Sequence, residues 1–314
     1  MRLCLSIEIQ EGMSYADTLA MTRAGEALDF DSSLLAEHYY PSGVQERYTG
    51  GLGTRMAADA WIFLAALARD TTRIRLGTLV SPVTFRHPSV LAKMAATLDH
   101  VSQGRAELGI GAGWFAGEHA AFGFAFPDAP RRVDLVEEQL QVINGLWGRD
   151  PFSHMGQHYQ LHDAHFTPKP VQEPRPTVIV GGSTTAQRLP RLAARYADEY
   201  VITLPSVEQC RAVRQRLDQA CERIGRDPRG MRLSVFTPMC VAETDYAVHA
   251  AFERFRDTNP QYLRMMNNET AWIMGTPGRV VEQLDELEQA GVARVMLSVN
   301  CDEHREMLPL VGVR

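Results

Sequence analysis

Residues 73–110 read RIRLGTLVSPVTFRHPSVLAKMAATLDHVSQGRAELGI, and they spell a strand, a helix and a second strand in succession. Ile74 to Val80 is a short run of aliphatic and β-branched residues. After it, Leu91, Met94, Leu98 and Val101 recur at three and four, which gives a helix one apolar stripe to lay on a sheet. Pro88 stands at the start of that helix, where its missing N–H costs nothing, and Gly104 stands where the helix should stop. Ala106 to Ile110 is the second strand. Two strands joined by a helical crossover are parallel, and the crossover is right-handed.

The same alternation extends in both directions. Leu3 to Ile9, Ser33 to Ala36, Thr177 to Val180, Tyr200 to Thr203, Leu233 to Val241 and Val292 to Val299 bring the strand-like runs to eight. Helical stripes fall between them: Trp61, Leu64, Ala65 and Ala68; Val133, Val136, Leu140, Ile143 and Trp147; Val213, Leu217 and Ile224; and Arg279 to Ala290 behind Thr276 and Pro277. Each strand but the last is followed by a strong helical segment. Eight such units predict an α/β fold of the (β/α)8 TIM-barrel type, because an open doubly wound sheet more usually stops at five or six strands. Two stretches fall outside the repeat and are expected as insertions after strands 4 and 7. Residues 148–176 carry Pro151, Pro168, Pro170, Pro174 and Pro176, which forbid a long helix, and residues 244–275 read as an extra helix running into a Met- and Asn-rich loop. With residues 39–56, these stretches are expected to shape a substrate site. Nothing reads as an interdomain linker, so residues 1–314 are expected to form a single domain.

Composition narrows the function. The 314 residues are 45% hydrophobic, enough for a large core, and carry a net charge of −6. That balance argues against nucleic acid or an anionic membrane surface as partner. The best apolar run, Ala60 to Ala68, is far short of the roughly 20 residues that span a bilayer. The N-terminus MRLCLSIEIQEG lacks a basic start with a small-residue cleavage site, so a cytoplasmic location is expected. Cys4, Cys210, Cys221, Cys240 and Cys301 are odd in number, widely spaced and without a CxxC pair, which fits reduced thiols used as small apolar fillers. No histidine pair has HExxH-type spacing, and His154 and His158 lie in a proline-flanked segment, so no metal is expected.

Four motifs sit where strands end, the face on which barrels place chemistry. LLAEHYYPSG puts Glu37 and His38 after the second strand; His38 reads either as a general acid or donor beside a redox centre, or as a histidine bonded to a loop carbonyl. The third strand ends in Gly77 and Thr78, where glycine permits a bulge or a close approach, but on the residues alone an ordinary strand-to-loop transition is the expected reading. RAELGIGAGWFAGEH closes the fourth strand with Gly109, Gly111 and Gly113, whose backbone could face a ligand; the Trp114 behind them either covers a ring or anchors the loop in the core, and anchoring is the expected role. TVIVGGSTTAQRL ends the fifth strand at Gly181 and Gly182, and Ser183, Thr184 and Thr185 are read as the start of a helix, either an anion cradle or simple caps. No P-loop lysine accompanies them. A nicotinamide-linked Rossmann enzyme would need a glycine loop after strand one, and EIQEGMS offers none.

Together these motifs and their order resemble the bacterial luciferase-like superfamily of flavin-dependent oxidoreductases. The similarity is densest over residues 77–127 and RRVDLVEEQLQVINGLW, with a second anchor at PKPVQEPRPTVIVGG. The resemblance implies a (β/α)8 barrel that commonly forms a homodimer. It implies that His38 lies near the reactive face of an isoalloxazine or deazaflavin ring, with Glu37 and Thr78 in the same site. Leu79 and Val80 fall where members carry a non-prolyl cis peptide forming a bulge behind that ring. Gly111, Ala112 and Gly113, with Gly181, Gly182 and Ser183, resemble the segments that hold the ribityl chain and phosphate. Glu8 is the corresponding candidate for the substrate pocket, and with His38 for catalysis. GAGWFAGEHAAFGFAFP is similar to the branch using the deazaflavin coenzyme F-420, whereas Glu37-His38 resembles the EHH signature of FMN luciferases. Ala112 stands where luciferases place an arginine for the FMN phosphate, which tips the expectation toward F-420. The implied function is transfer of a hydride or electron pair between that cofactor and a small organic substrate. The alternatives are a monooxygenase using reduced FMN and O2, supplied by a separate reductase, and a flavin-binding relative without catalysis.

Overall fold

The computed structural model describes residues 1–41, 57–258, 268–300 and 302–311. Eight parallel strands form its centre: β1 (Arg2–Ile7), β2 (Ser32–Leu35), β3 (Arg75–Thr78), β4 (Ala106–Gly111), β5 (Thr177–Gly182), β6 (Glu199–Thr203), β7 (Arg232–Val241) and β8 (Arg294–Val299). Each pairs with the next. β8 pairs in turn with β1, from Arg2 opposite Arg294 to Ile7 opposite Val299, and the ring is closed. The helices α1 (Tyr15–Ala27), α2 (Ala60–Asp70), α3 (Pro88–Val101), α4 (Ala129–Gly148), α5 (Leu189–Tyr196), α6 (Val207–Glu222), α7 (Pro277–Gln289) and α8 (Asp302–Val311) lie between successive strands and after the last.

All eight expected strands are present. The helix after the eighth is a correction: its apolar positions Leu308 and Val311 are buried, but Pro309 interrupts the run and hides the period. Helical stripes meet the sheet as the spacing predicts, with Trp61, Leu64, Val136, Leu140, Ile143 and Leu217 buried. Ile224 is not part of its stripe; α6 stops at Glu222 and Ile224 is half exposed.

Inside the ring, Cys4, Leu34, Ile179, Val201, Phe236 and Met296 form one apolar layer contributed by six strands. Because strand side chains alternate, positions two residues earlier also point inward and form the floor. There Arg294 is 1% exposed and donates to Glu199 Oε2 at 2.8 Å and to Glu107 Oε2 at 3.0 Å. Arg75 bonds Glu107 at 2.6 Å and Arg232 bonds Glu199 at 2.9 Å. Burial works against charge on Glu107, but Arg294 and Arg75 outweigh it and hold its carboxyl below the usual range. Positions two residues later than the apolar layer include Ser6 and Ser298, and continuing the same parity carries Glu8 and His38 to the mouth.

The two insertions differ in where they go. Residues 148–176 lie between the fourth and fifth strands, but after α4, so they run back along the outside of the barrel and not over its mouth. They contain an antiparallel hairpin, Phe152–Met155 with Gln160–Ala164. Glu138 on α4 accepts from the backbone N–H groups of His158 and Tyr159, at 2.9 and 2.8 Å. Asp99 on α3 accepts from those of Val171 and Gln172, at 2.7 and 2.9 Å. Buried carboxylates replace the water these amides would otherwise need. The insertion after β7 holds a helix, Asp245–Thr258, and a short strand, Ile273–Gly275, added in parallel to the end of β7. Residues 42–56 and 259–267, the other expected substrate loops, lie outside the described residues.

Replacing Arg294 by Met leaves Glu107 and Glu199 buried without their shared cation. The Arg294→Met protein is expected to lose about 3–5 kcal/mol of stability, read as a lowered urea midpoint at neutral pH.

Candidate active site

The expected site residues come together at one end of the barrel. Glu8 follows β1, Glu37 and His38 follow β2, Thr78, Leu79 and Val80 end β3, Gly111, Ala112 and Gly113 end β4, and Gly181, Gly182 and Ser183 end β5. The Leu79–Val80 peptide is cis. Here the chain shifts toward β4: Leu79 N–H donates to Leu35 O at 2.9 Å, Ser81 and Pro82 pair with Ile110 and Gly111, and Val83 N–H donates to Gly111 O at 2.9 Å. This bulge explains the glycines on β4. A Cβ on Gly109 would collide with the Thr78 carbonyl, and one on Gly111 would meet Val80 Cγ2 at 2.7 Å. The glycines therefore make room first for the protein's own bulge. Leu79 and Val80 rest on the apolar layer inside the barrel while staying partly exposed.

Glu37 and His38 are consecutive and face opposite ways, as alternation requires. Glu37 is 1% exposed; its Oε2 accepts from Ser81 Oγ and from Trp61 Nε1 (3.2 Å), and its Oε1 accepts from Arg86. Arg86 also donates to the Tyr39 hydroxyl at 3.0 Å. Burial works against the guanidinium's charge, but Glu37 overcomes it and holds Arg86 above its ordinary value. Both Glu37 oxygens are thus taken by the chain itself.

His38 faces the mouth. Its Nδ1 lies 3.1 Å from Oε2 of Glu118, a buried carboxylate on the short helix Ala116–Phe122, whose Oε1 accepts from the Tyr39 N–H. Trp114 and Phe115 meet the imidazole edge-on at 5.6 and 6.3 Å and stack on each other at 5.1 Å. Burial lowers the imidazole's proton affinity, but Glu118 above all, then Glu8 and Glu11, reverse this and raise His38 above its usual value. At the end of the neighbouring β1, burial pushes the Glu8 carboxyl up to about 7, against the opposing effects of the Gln10 hydrogen bond (2.6 Å) and of His38.

Two expectations need correction. Trp114 is not a core anchor: it is 48% exposed, and Phe115, at 1%, is the residue sunk into the core. Nor do Ser183, Thr184 and Thr185 start a helix. α5 begins at Leu189, with Arg188 as an N-cap whose side chain makes no capping bond and instead pairs with Asp134 at 2.6 Å, while Ser183 Oγ pairs with Thr185 Oγ1 at 3.3 Å in the preceding turn. Pro190 suits a first helical turn and fixes the start there. The strand end is instead held by Tyr200, whose hydroxyl donates to Ser183 O at 3.0 Å. Glu118, Arg86, Ser81 and Trp61 carry no periodic signal for these roles and are not apparent from the sequence. Among the described residues no cluster of His, Cys, Asp or Glu could hold a metal ion. Cys4, Cys210, Cys221 and Cys240 are free and buried, and Cys301 lies outside the described residues.

Residues 3–294 match the model of the family described as luciferase-like monooxygenase. The chain belongs to that family. Among its curated relatives, an FMNH(2)-dependent dimethylsulfone monooxygenase of Pseudomonas putida is 32% identical over 226 residues, 72% of this chain and 61% of that protein's length. An F420-dependent glucose-6-phosphate dehydrogenase of Microbacterium testaceum is 30% identical over 288 residues, 90% of this chain and 80% of the relative. The luciferase-like barrel is also seen in an F420-dependent secondary alcohol dehydrogenase solved with an F420-acetone adduct, with a TM-score of 0.81 at 20% identity over 99% of this chain and 98% of that one. Relatives at similar distance are thus named for either cofactor, and identity alone does not choose between them. In this luciferase-like chain Ala112 leaves no cation at the end of β4. Leu79 and Val80 offer partly exposed apolar surface at the end of β3, the strand next to the one whose end carries His38.

Because Glu8 holds its proton more tightly folded than unfolded, stability is present at low pH and lost as pH rises through about 7. Between pH 5 and 8 the wild type is expected to lose roughly 2–3 kcal/mol relative to Glu8→Gln, measured by urea unfolding at both pH values.

Proposed function

We propose that this chain is an oxidoreductase that binds a deazaflavin or flavin at the barrel mouth and exchanges a hydride or electron pair with a small organic substrate. The reading is supported by one observation: an imidazole set by a buried carboxylate at the end of β2 and the partly exposed Leu79–Val80 peptide at the end of the neighbouring β3 lie at the same face of the barrel. The bound ring would supply the two-electron chemistry, and the protein orientation, polarity and exclusion of water. Leu79 and Val80 support the ring face, with Thr78 anchoring the bulge to Gly109 O at 3.0 Å. Gly111, Ala112 and Gly113, with Gly181, Gly182 and Ser183, line the ribityl and phosphate side through backbone and hydroxyl groups. Glu37 positions Arg86 and Ser81 behind the bulge. His38 donates from its other ring nitrogen at the reactive edge, and Glu8 holds or releases a proton on the substrate side.

The absence of a cation at Ala112 favours the deazaflavin F-420 over FMN, since luciferase-style anchoring of the FMN phosphate would use the planar, bidentate fork of an arginine there. The relatives named for FMNH(2) support the second reading, a monooxygenase served by a separate reductase. We further assign the chain to the cytoplasm as a homodimer. The buried free thiols and the want, among the described residues, of a helix long and apolar enough to cross a membrane support the location, and the exposed Ile62 and Val90 on α2 and α3 support the second. The net charge of −6 argues against nucleic acid and anionic membrane surfaces as partners.

Anaerobic titration with F-420 and with reduced FMN is expected to show binding of one or both, and binding of neither overturns the proposal. His38→Ala is expected to leave affinity for the bound cofactor within a few-fold and to lower turnover by about 10²-fold or more.

A further inference from the structure

Glu118 is buried, sits on a short helix remote in sequence from His38, and bonds two consecutive residues of the β2 end at once. One oxygen takes the Tyr39 backbone N–H, a donor that cannot reverse its role. The other meets His38 Nδ1 at 3.1 Å. An ionised carboxylate only accepts, so Nδ1 must carry a proton whether the ring is neutral or cationic.

We propose that Glu118 is a positioning residue for the oxidoreductase reading above: it fixes the neutral His38 ring as the Nδ1–H tautomer and keeps Nε2 as the nitrogen that serves the mouth. In this arrangement Nε2 accepts a proton when the ring is neutral and donates one when it is charged, so a single atom exchanges protons with whatever lies there. The charged groups facing His38 among the described residues are Glu118 from the short helix, Glu8 from the end of β1 and Glu11 from the turn after it; all three favour the cation. Trp114 and Phe115 meet the imidazole edge-on with rings that cannot replace a lost acceptor.

Substitution by glutamine gives a sharp test, because Tyr39 N–H still demands an oxygen. The introduced side-chain amide must then turn its NH2 toward His38, and Nδ1 becomes an acceptor. In Glu118→Gln the neutral ring is expected to invert to the Nε2–H tautomer, and the His38 midpoint to fall by about one pH unit or more. Imidazole nitrogen NMR on the protein without cofactor reads both quantities, and the alkaline limb of the turnover profile, along which His38 loses the proton it donates, is expected to move down by the same amount. An unmoved midpoint and tautomer in a folded Glu118→Gln protein overturn the proposal. Should that variant not fold, the wild-type spectrum decides alone: a neutral His38 protonated on Nε2 overturns it. The NMR measurement needs no cofactor, so failure to bind F-420 or FMN would remove the functional reading and leave this result standing.

Discussion

A parallel sheet carries unpaired N–H and C=O groups along both edges, and in this chain the constraint is met by pairing β8 with β1 from Arg2–Arg294 to Ile7–Val299. Closure has two consequences for everything else. It creates an interior whose contents follow a strict alternation of residues, and it carries all strand ends of one sense to one face. The interior is layered by polarity. Arg294 and its carboxylates fill the floor, aliphatic, aromatic and sulfur-bearing side chains fill the middle, and polar groups surround the mouth. An ionic floor is an expensive way to fill space, since each charge loses its water. It is tolerated because hydrogen bonds from Arg294, Arg75 and Arg232 satisfy the two glutamates, along with Ser234.

The mouth is shaped by one local displacement. After Thr78 the chain steps across toward β4, and the step works because Gly109 and Gly111 have no Cβ to obstruct it. The glycine pattern that suggests a cofactor cradle is therefore first a packing requirement within the protein. A comparable division of labour holds between Glu37 and His38. One secures the outer side of the displaced segment through Arg86, Ser81 and Trp61, while the other faces the interior.

Much of this is legible in the residue order. Strand and helix order and the position of the Glu37–His38 pair at a strand end are properties of neighbouring residues, and periodicity of two or about 3.6 reports them directly, whereas the displaced segment after Thr78 is suggested only by the resemblance to the family. The helix after β8 escapes because a proline breaks its pattern. The Ser183–Thr185 hydroxyls mislead because capping residues also occur in turns, and Pro190 places the helix start later. Trp114 misleads because size alone suggests burial, while the neighbouring Phe115 takes the core position.

The amino-acid order by itself determined the barrel, its mouth and the histidine there. Only the folded chain decided that Glu118, eighty residues away, would hold that histidine, that Glu37 would turn its back on it, and that residues 148–176 would strap α3 and α4 from outside. The reason is physical. Local spacing fixes which face a residue occupies within its own element, but a bond between side chains far apart depends on where closure and helix packing set those elements.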